Sequence, residues 1–378
     1  IEGVSAALNE MSCEMLDSPE VGMAEFRASR RQADLLVKWG FDVRIPYCGM
    51  ETAFRAEIGS GGPVFCVMSE YDALPEIGHA CGHNLISVSA LSAAAGVSEL
   101  IKSGELPGTF VVLGSPGEEG KGGKIHLMNA GAFDGVGAAM MAHPGWRTAT
   151  WKGCFGLERF EVEYVGKASH AGTAPEKGIN ALEGVMALFH GMNAWRQHLP
   201  EETRVHGIIT DGGSAANVVP ARAVARIYLR SGRQGVLDEM VVRFGEMVEG
   251  AALLSGTKVN LRSEHLGYKS GFPNEPLNRE FFDAATELGM NPEMAEKQSR
   301  GSTDFGNVSR ILPGSHVYFG ISADGSRLSL HTEEFEKASR SEFAFNSALK
   351  AGEALASVAC RYLSDETYRA EVAADFAK

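Results

Sequence analysis

The stretch Glu70-Tyr-Asp-Ala-Leu-Pro-Glu-Ile-Gly-His-Ala-Cys-Gly-His83 gathers carboxylates, a thiol and two imidazoles into one short run. His79, Cys81 and His83 alternate, so in extended backbone they point to one side. Thiolate and imidazole are the usual ligands of zinc and related ions, and the stretch reads as half of a metal site. A buried cysteine by itself would be core. The place of Cys81 between two histidines, on a glycine-flanked loop, favours ligation instead. His79 fits the alternation as well as its neighbours do. It is left outside the ligand set because Cys81 and His83 already serve.

Further candidates follow other apolar runs. Glu118-Glu119 comes after Thr109 to Gly114, and His143-Pro144 after Val136 to Ala142; His331 sits in Ser329-Leu-His-Thr-Glu-Glu334. Cys81, His83, Glu119, His143 and His331 exceed what one tetrahedral zinc needs. Two ions sharing the site are therefore expected, with the Cys81 thiolate able to bridge them. Ions about 3.5–4 Å apart clamp a water and polarise a carbonyl. Successive residues at a strand end point in different directions, so one carboxylate of Glu118-Glu119 can ligate while its neighbour faces the water. A carboxylate near that water can act as general base, and afterwards as the acid that delivers the proton to the leaving amine. Taken singly, Glu118-Glu119 would be a solvated acidic turn, and His143 and His331 would be loop histidines.

Asp72 either orients a ligand imidazole or caps a turn. His170, in Gly166-Lys-Ala-Ser-His-Ala-Gly172, and Asn217, in Ala-Ala-Asn-Val-Val-Pro220, are turn residues that can also donate to an oxyanion. Asp304 and Ser315-His316 read as polar loop positions suited to substrate contact. No glycine cluster leads into Lys-Ser/Thr, so a phosphate loop is absent.

The elements that must position these groups alternate. Ser18-Pro19-Glu20 reads as the start of a helix running to Trp39 and stopped by Gly40. Phe41 to Ile45 and Thr52 to Ile58 should pair as strands, and Val64 to Ser69 is a buried strand. His83 to Lys102 and Gly122 to Ala130 read as helices. Such alternation implies a mixed, mostly parallel sheet with helices on both faces, an α/β architecture whose strand ends meet at one crevice. From Leu157 to Ser263 the order becomes β-α-β-β-α-β, a ferredoxin-like split unit. Past Pro273 the first pattern resumes, ending in a long helix from Ser339 to Leu363. The expected division is a catalytic domain of residues 1–156 and 266–378 with an inserted domain of 157–265.

The chain has 378 residues, 44% of them hydrophobic, with a net charge of −13 and six scattered cysteines. The acidity argues against nucleic acid as a partner. No disulfide framework is visible, no membrane-spanning stretch or leader is expected, and a reducing cytoplasm is the default location.

Together the motifs resemble the aminoacylase-type two-metal metallopeptidases, in their amidohydrolase branch. The resemblance runs through Gly78-His-Ala-Cys-Gly-His-Asn84, Pro116-Gly-Glu-Glu-Gly120, Ala130-Gly-Ala-Phe-Asp134, Ala142-His-Pro144 and Gly166-Lys-Ala-Ser-His-Ala171. It continues through Asn217-Val-Val-Pro220, Ser302-Thr-Asp-Phe-Gly-Asn307 and His331. Glu70-Tyr-Asp-Ala-Leu-Pro75 and His206-Gly-Ile-Ile-Thr-Asp-Gly-Gly213 are most similar to aminobenzoyl-glutamate and β-alanyl-dipeptide hydrolases.

The resemblance implies a zinc-exopeptidase-like catalytic domain with two divalent ions, zinc or manganese, with cobalt or nickel as alternatives. It implies ligands Cys81, His83, Glu119, His143 and His331, Glu118 as base and acid, and Asp72 as support for the metal ligands. It further implies a lid that forms a homodimer, with His170 reaching a neighbouring subunit's active site and Asn217 adding to the oxyanion contacts. The reaction implied is hydrolysis of an amide joining an acyl group to an amino acid or small dipeptide. Gly117 stands where the family often has Ala, which should loosen that loop. Two other readings stay open: a non-catalytic small-molecule binding protein on the same fold, and a single structural zinc held by His79-Ala-Cys-Gly-His83.

Overall fold

The computed structural model describes residues 4–264 and 266–378. The chain folds as two compact units. One takes residues up to Gly153, Gly271–Gln298 and Asp304 onward; the other takes Cys154–Ser270 and Ser299–Thr303. The second unit thus includes a short return segment beyond the expected insert.

The first unit is built on strands β1 (Asp42–Arg44), β2 (Phe54–Ser60), β3 (Val64–Glu70), β4 (Gly108–Ser115) and β5 (Ala138–Gly145). The second unit contributes β6 (Gly156–Val165), β7 (Thr203–Asp211), β8 (Arg222–Ser231) and β9 (Lys258–Ser263), and β10 (Gly314–Gly320) returns to the first. The larger sheet has the order β1-β2-β4-β3-β5-β10. Strands β4, β3, β5 and β10 are mutually parallel out to one edge, and β2 pairs antiparallel with both β4 and β1 at the other.

Alternation divides the side chains of this sheet between two buried faces. Phe54, Phe65, Val67, Phe110, Val112, Met140 and Val317 join the core under the helices His83–Lys102 and Glu342–Ser364. The other parity carries Cys66, Met68, Leu113, Met141, His143 and His316, all buried. The short helices Gly123–Asn129 and Phe305–Val308 lie on that side, Lys124 pairing with Glu70 and the Phe305 ring packing on His316. Because the repeat is two, a one-residue slip of β5 would turn His143 into the opposite core.

His83–Lys102 is long and apolar enough to cross a membrane, contrary to the expectation that no stretch is. Fifteen of its residues are buried, from His83 to Ser98, and it packs against the strands and the helix Glu342–Ser364 as a core helix.

Two helix starts differ from expectation. Ser18 closes the helix Ser5–Asp17, its N–H donating to Glu14 O. The next helix is Phe26–Lys38, stopped as expected at Gly40 with φ of +86°. Pro19 is incompatible with continuing the first helix. Glu20 instead reaches forward to accept the Arg27 and Ala28 N–H groups, so it caps the second helix from outside. Likewise the long C-terminal helix begins after Ser341, whose hydroxyl accepts from Ala344 N, and Ser339 ends a separate turn, Glu333–Ser339.

The second unit is an antiparallel sheet in the order β7-β8-β6-β9. The helices Ala181–Arg196 and Gln234–Ser255 share a core with one of its faces, built on Phe160, Val162, Tyr164, Ile227, Leu229 and Phe244.

Candidate metal centre

Three strand ends and one distant loop meet in the first unit. Cys81, His83 and His143 each offer a ligand atom within 4.8 Å of the others, as do Cys81, Glu119 and His331, and His83, Glu118 and Glu119. Cys81, His83 and Glu119 each belong to two of these groups. The close approach depends on Gly82, in left-handed backbone at φ +76°, where a Cβ would lie 2.5 Å from Pro144 Cγ. Only glycine lets the Cys81–His83 loop sit against His143-Pro144. His331 arrives from far along the chain, its N–H donating to Ala80 O at 2.9 Å. Its φ of +63° is unusual for a non-glycine residue, the kind of backbone strain that collects at functional sites.

The imidazoles are oriented from behind. His83 Nδ1 lies 3.0 Å from Asp72 Oδ1, and His143 Nδ1 donates to Pro144 O at 2.7 Å. Both Nε2 atoms are left to face the cluster, the arrangement that fixes the tautomer of a ligating histidine. His143 Nε2 lies 3.5 Å from Cys81 Sγ. Among the described residues the buried His83 Nε2 has no hydrogen-bond partner, Glu70 Oε2 lying 3.5 Å away. Thiol, imidazole and carboxylate donors converge here with an orphaned Nε2 among them, and this donor set fits divalent metal ions. Asp72 also steadies the neighbouring turn, its Oδ2 accepting the Glu119 N–H at 2.9 Å. Burial works against the charge on Asp72, but His83 and the hydrogen bonds it accepts hold its carboxyl below the usual range.

Glu118 and Glu119 stand on a tight turn between Gly117 (φ +63°) and Gly122 (φ +69°). Burial, then Glu70, Glu119 and Asp304, push the Glu118 carboxyl well above the usual carboxylate range. Glu119 Oε1 lies 3.2 Å from His331 Nε2. The Gly117 N–H is held at 2.7 Å by Glu25 Oε1.

His79 is in none of the three groups. Its imidazole is buried and paired with the Met15 backbone, and burial lowers its pKa to about 3. His170 and Asn217 lie together in the second unit, where Ala171 N donates to Asn217 O. His170 Nδ1 accepts from Gly172 N and Thr173 N, which leaves Nε2 as its N–H. His316, expected in a loop, is inside β10 and stacks on His143 with ring centroids 5.3 Å apart. Asp304 likewise is no exposed loop group: it is fully buried against Lys124.

Lys124 and Glu25 carry no signal in the sequence, where Glu70 stands within its motif without a separate role. Lys124 is completely buried and pairs with Glu70 and with Asp304 Oδ1, the latter at 2.6 Å. Glu25 is completely buried too. Burial, then the charge of Asp72, lifts its pKa from 4.5 to about 7. Between those values the folded chain holds a proton that the unfolded chain has lost. This group therefore weakens folding as pH rises through the window, and the loss is complete above it. The whole difference is on the order of 3 kcal/mol. Glu25→Gln should flatten the decline in stability between pH 5 and pH 8 in urea denaturation. An unchanged slope would show that another group titrates.

The sequence of residues 66–349 matches the family model for peptidase family M20/M25/M40. The mouse Xaa-Arg dipeptidase is 34% identical over 377 residues, covering 95% of this chain and 86% of that protein. A p-aminobenzoyl-glutamate hydrolase chain of Escherichia coli (strain K12) is 32% identical, covering 76% of this chain and 64% of the other. Among solved structures, a dinuclear metal binding peptidase of the M20 family from Bacillus subtilis superposes with a TM-score of 0.74 at 20% identity, covering 96% of this chain and 99% of that one. A family model spanning most of the chain and a relative aligned nearly end to end agree with the thiolate–imidazole–carboxylate centre: the chain belongs to peptidase family M20/M25/M40, whose members are metal-dependent amidohydrolases and peptidases.

Proposed function

We propose that this chain hydrolyses the amide bond between an acyl group and an amino acid, or within a small dipeptide. Cys81, His83, Glu119, His143 and His331 would hold two divalent ions, zinc or manganese, with cobalt or nickel as alternatives. When bound, the ions supply Lewis acidity to the scissile carbonyl and to the attacking water. Glu118 takes the proton from that water and delivers it to the leaving amine. A carboxyl whose pKa is raised by burial suits both halves of this role. Asp72 holds His83 and the Glu119 backbone in register. The observation that carries the reading is the sharing of Cys81, His83 and Glu119 among overlapping ligand groups. A single closed zinc site built on His79, Cys81 and His83 does not explain it.

The test is metal content after chelation and reconstitution, run beside a panel of aminobenzoyl-glutamate, N-acetyl and N-benzoyl amino acids, β-alanyl dipeptides and dipeptides ending in arginine. The last class is suggested by the name of the mouse relative, an Xaa-Arg dipeptidase. Two ions per chain with metal-dependent amine release is the expected result. One ion, or turnover that survives chelation, would overturn the reading.

The inserted unit is proposed as a lid that dimerises. In support, β7 is an edge strand carrying exposed Ile208 and Ile209, and open apolar edges invite pairing. His170 and Asn217 are proposed to donate hydrogen bonds to the developing oxyanion. Sedimentation should give twice the chain mass, and His170→Ala should lower kcat with metal content unchanged. A monomer, or wild-type turnover in that variant, would remove the respective assignment. The six cysteines are free thiols, in keeping with a reducing cytoplasm.

A further inference from the structure

Between the first two helices the chain crosses from Ser18 to Glu25 and lies against the turn that bears Glu118. Val21 forms a parallel bridge with Ala73, and Ala73 N donates to Glu20 O at 2.8 Å. The crossing therefore runs beside Tyr71-Asp72-Ala73. Gly22 comes so close that an added Cβ would lie 3.0 Å from Gly117 Cα and 3.6 Å from Asp72 Oδ2. Met23 covers the turn: a Cβ on Gly117 would meet its Cε at 3.1 Å. At the end of the crossing, Glu25 Oε1 accepts the Gly117 N–H at 2.7 Å, and Oε2 accepts the Thr52 hydroxyl at 3.0 Å.

The Glu118 turn is short and glycine-rich. Four residues bounded by left-handed glycines do not hold a conformation alone. The N–H groups on either side of Glu118 are each fixed by a buried carboxylate brought from elsewhere: Gly117 by Glu25, and Glu119 by Asp72. The two carboxylates differ in what else they touch. Asp72 also binds His83, so it serves the ligands. Among the described residues, the hydrogen bonds of the Glu25 carboxyl go to the Gly117 N–H and to the Thr52 hydroxyl that steadies it.

We propose that Glu25 is a positioning residue for the hydrolysis, setting the direction in which the turn presents Glu118, with Gly22 providing the close approach that seats the crossing on the turn. This rests on Glu118 as the proton acceptor. Without Glu25 the Gly117 N–H loses its partner, the long Gly123 N–H bond to Gly117 O at 3.4 Å is left to hold that end of the turn, and Glu118 loses its aim. Glu119 stays held by Asp72, so metal remains.

The experiment compares Glu25→Ala, Glu25→Gln, Gly22→Ala and Glu118→Gln in the reconstituted enzyme, on whichever panel amide the wild type cleaves fastest. Metal content and melting temperature are read on each variant. For Glu25→Ala the expected result is a fall in kcat of about 10²-fold, the scale of a misplaced reacting group. KM should stay within about threefold, since binding is not the step lost, and two ions should remain. Glu25→Gln should restore most of kcat. Its amide oxygen still accepts the Gly117 N–H, and its NH2 can donate to the Thr52 oxygen. A role in folding alone would not separate kcat from KM, nor respond to an uncharged amide in this way. Gly22→Ala, with Glu25 intact, should lower kcat in the same sense.

Wild-type kcat in Glu25→Ala overturns the proposal, as does equal loss of metal and activity in the Ala and Gln variants. Should Glu25→Ala fail to fold, wild-type kcat in Gly22→Ala overturns it. Wild-type turnover in Glu118→Gln would sink the reading of the base itself. A dead Glu118→Gln beside an undamaged Glu25→Ala would sink the positioning role alone.

Discussion

Glu118→Gln is expected to lower turnover by about 10²- to 10⁴-fold, the range for removing a positioned general acid–base group, with two ions still bound. The substitution keeps the volume and most of the hydrogen bonding of the side chain and removes its capacity to take a proton. Glu118 is 9% exposed, so solvent water is a poor substitute for it. The geometry leaves one rival role. Glu118 lies within 4.8 Å of His83 and Glu119 ligand atoms, close enough to join the metal shell instead of serving as base. The two roles separate in the metal assay. A base variant loses kcat and keeps both ions. A ligand variant loses an ion, as Glu119→Gln should. Wild-type kcat in Glu118→Gln would exclude both.

What could be read from the sequence, and what could not, follows the distance over which each signal acts. The pairing of β1 with β2, the parallel strands and the helix His83–Lys102 rest on local periodicity, and the structure has them where the sequence put them. Cys81 and His83 stand out because residue type and spacing coincide within three positions. Glu119 and His143 follow because parallel strand ends share one crevice. The groups that support the site carry no local signal. Ser18-Pro19-Glu20 has the composition of a helix start, yet its Glu20 caps a helix that begins six positions later at Phe26. Glu25 meets its partner 92 residues away. Lys124 looks like a solvated lysine among glycines, because nothing near it announces a carboxylate 180 residues on. His316 reads as polar loop until register with Met141 places it inside a parallel strand.

Lys124→Met should cost about 3–5 kcal/mol of stability, the penalty for stripping one partner from a buried ion pair. Methionine fills nearly the same space, so the loss is one of charge and not of packing. Lys124 Nζ lies against Glu70 and Asp304, and the Lys124 backbone N–H donates to Asp304 Oδ2 at 2.9 Å. Both carboxylates are buried. Burial has already lifted the Asp304 pKa to about 6, against the pull of Lys124; without the ammonium it rises further. The folded variant then holds a proton that the unfolded chain releases near the ordinary carboxylate value. The destabilisation is therefore largest at pH 8 and shrinks toward pH 5, where protonation relieves the unpaired charge. Asp304→Asn in the same chain should recover part of the loss, since the interaction removed is shared by neighbours. Denaturation curves for the single and double variants at the two pH values decide it. Equal destabilisation at pH 5 and pH 8, with no recovery in the double variant, would mean that the charge of Lys124 is not what stabilises the fold and that the buried carboxylates find their compensation elsewhere.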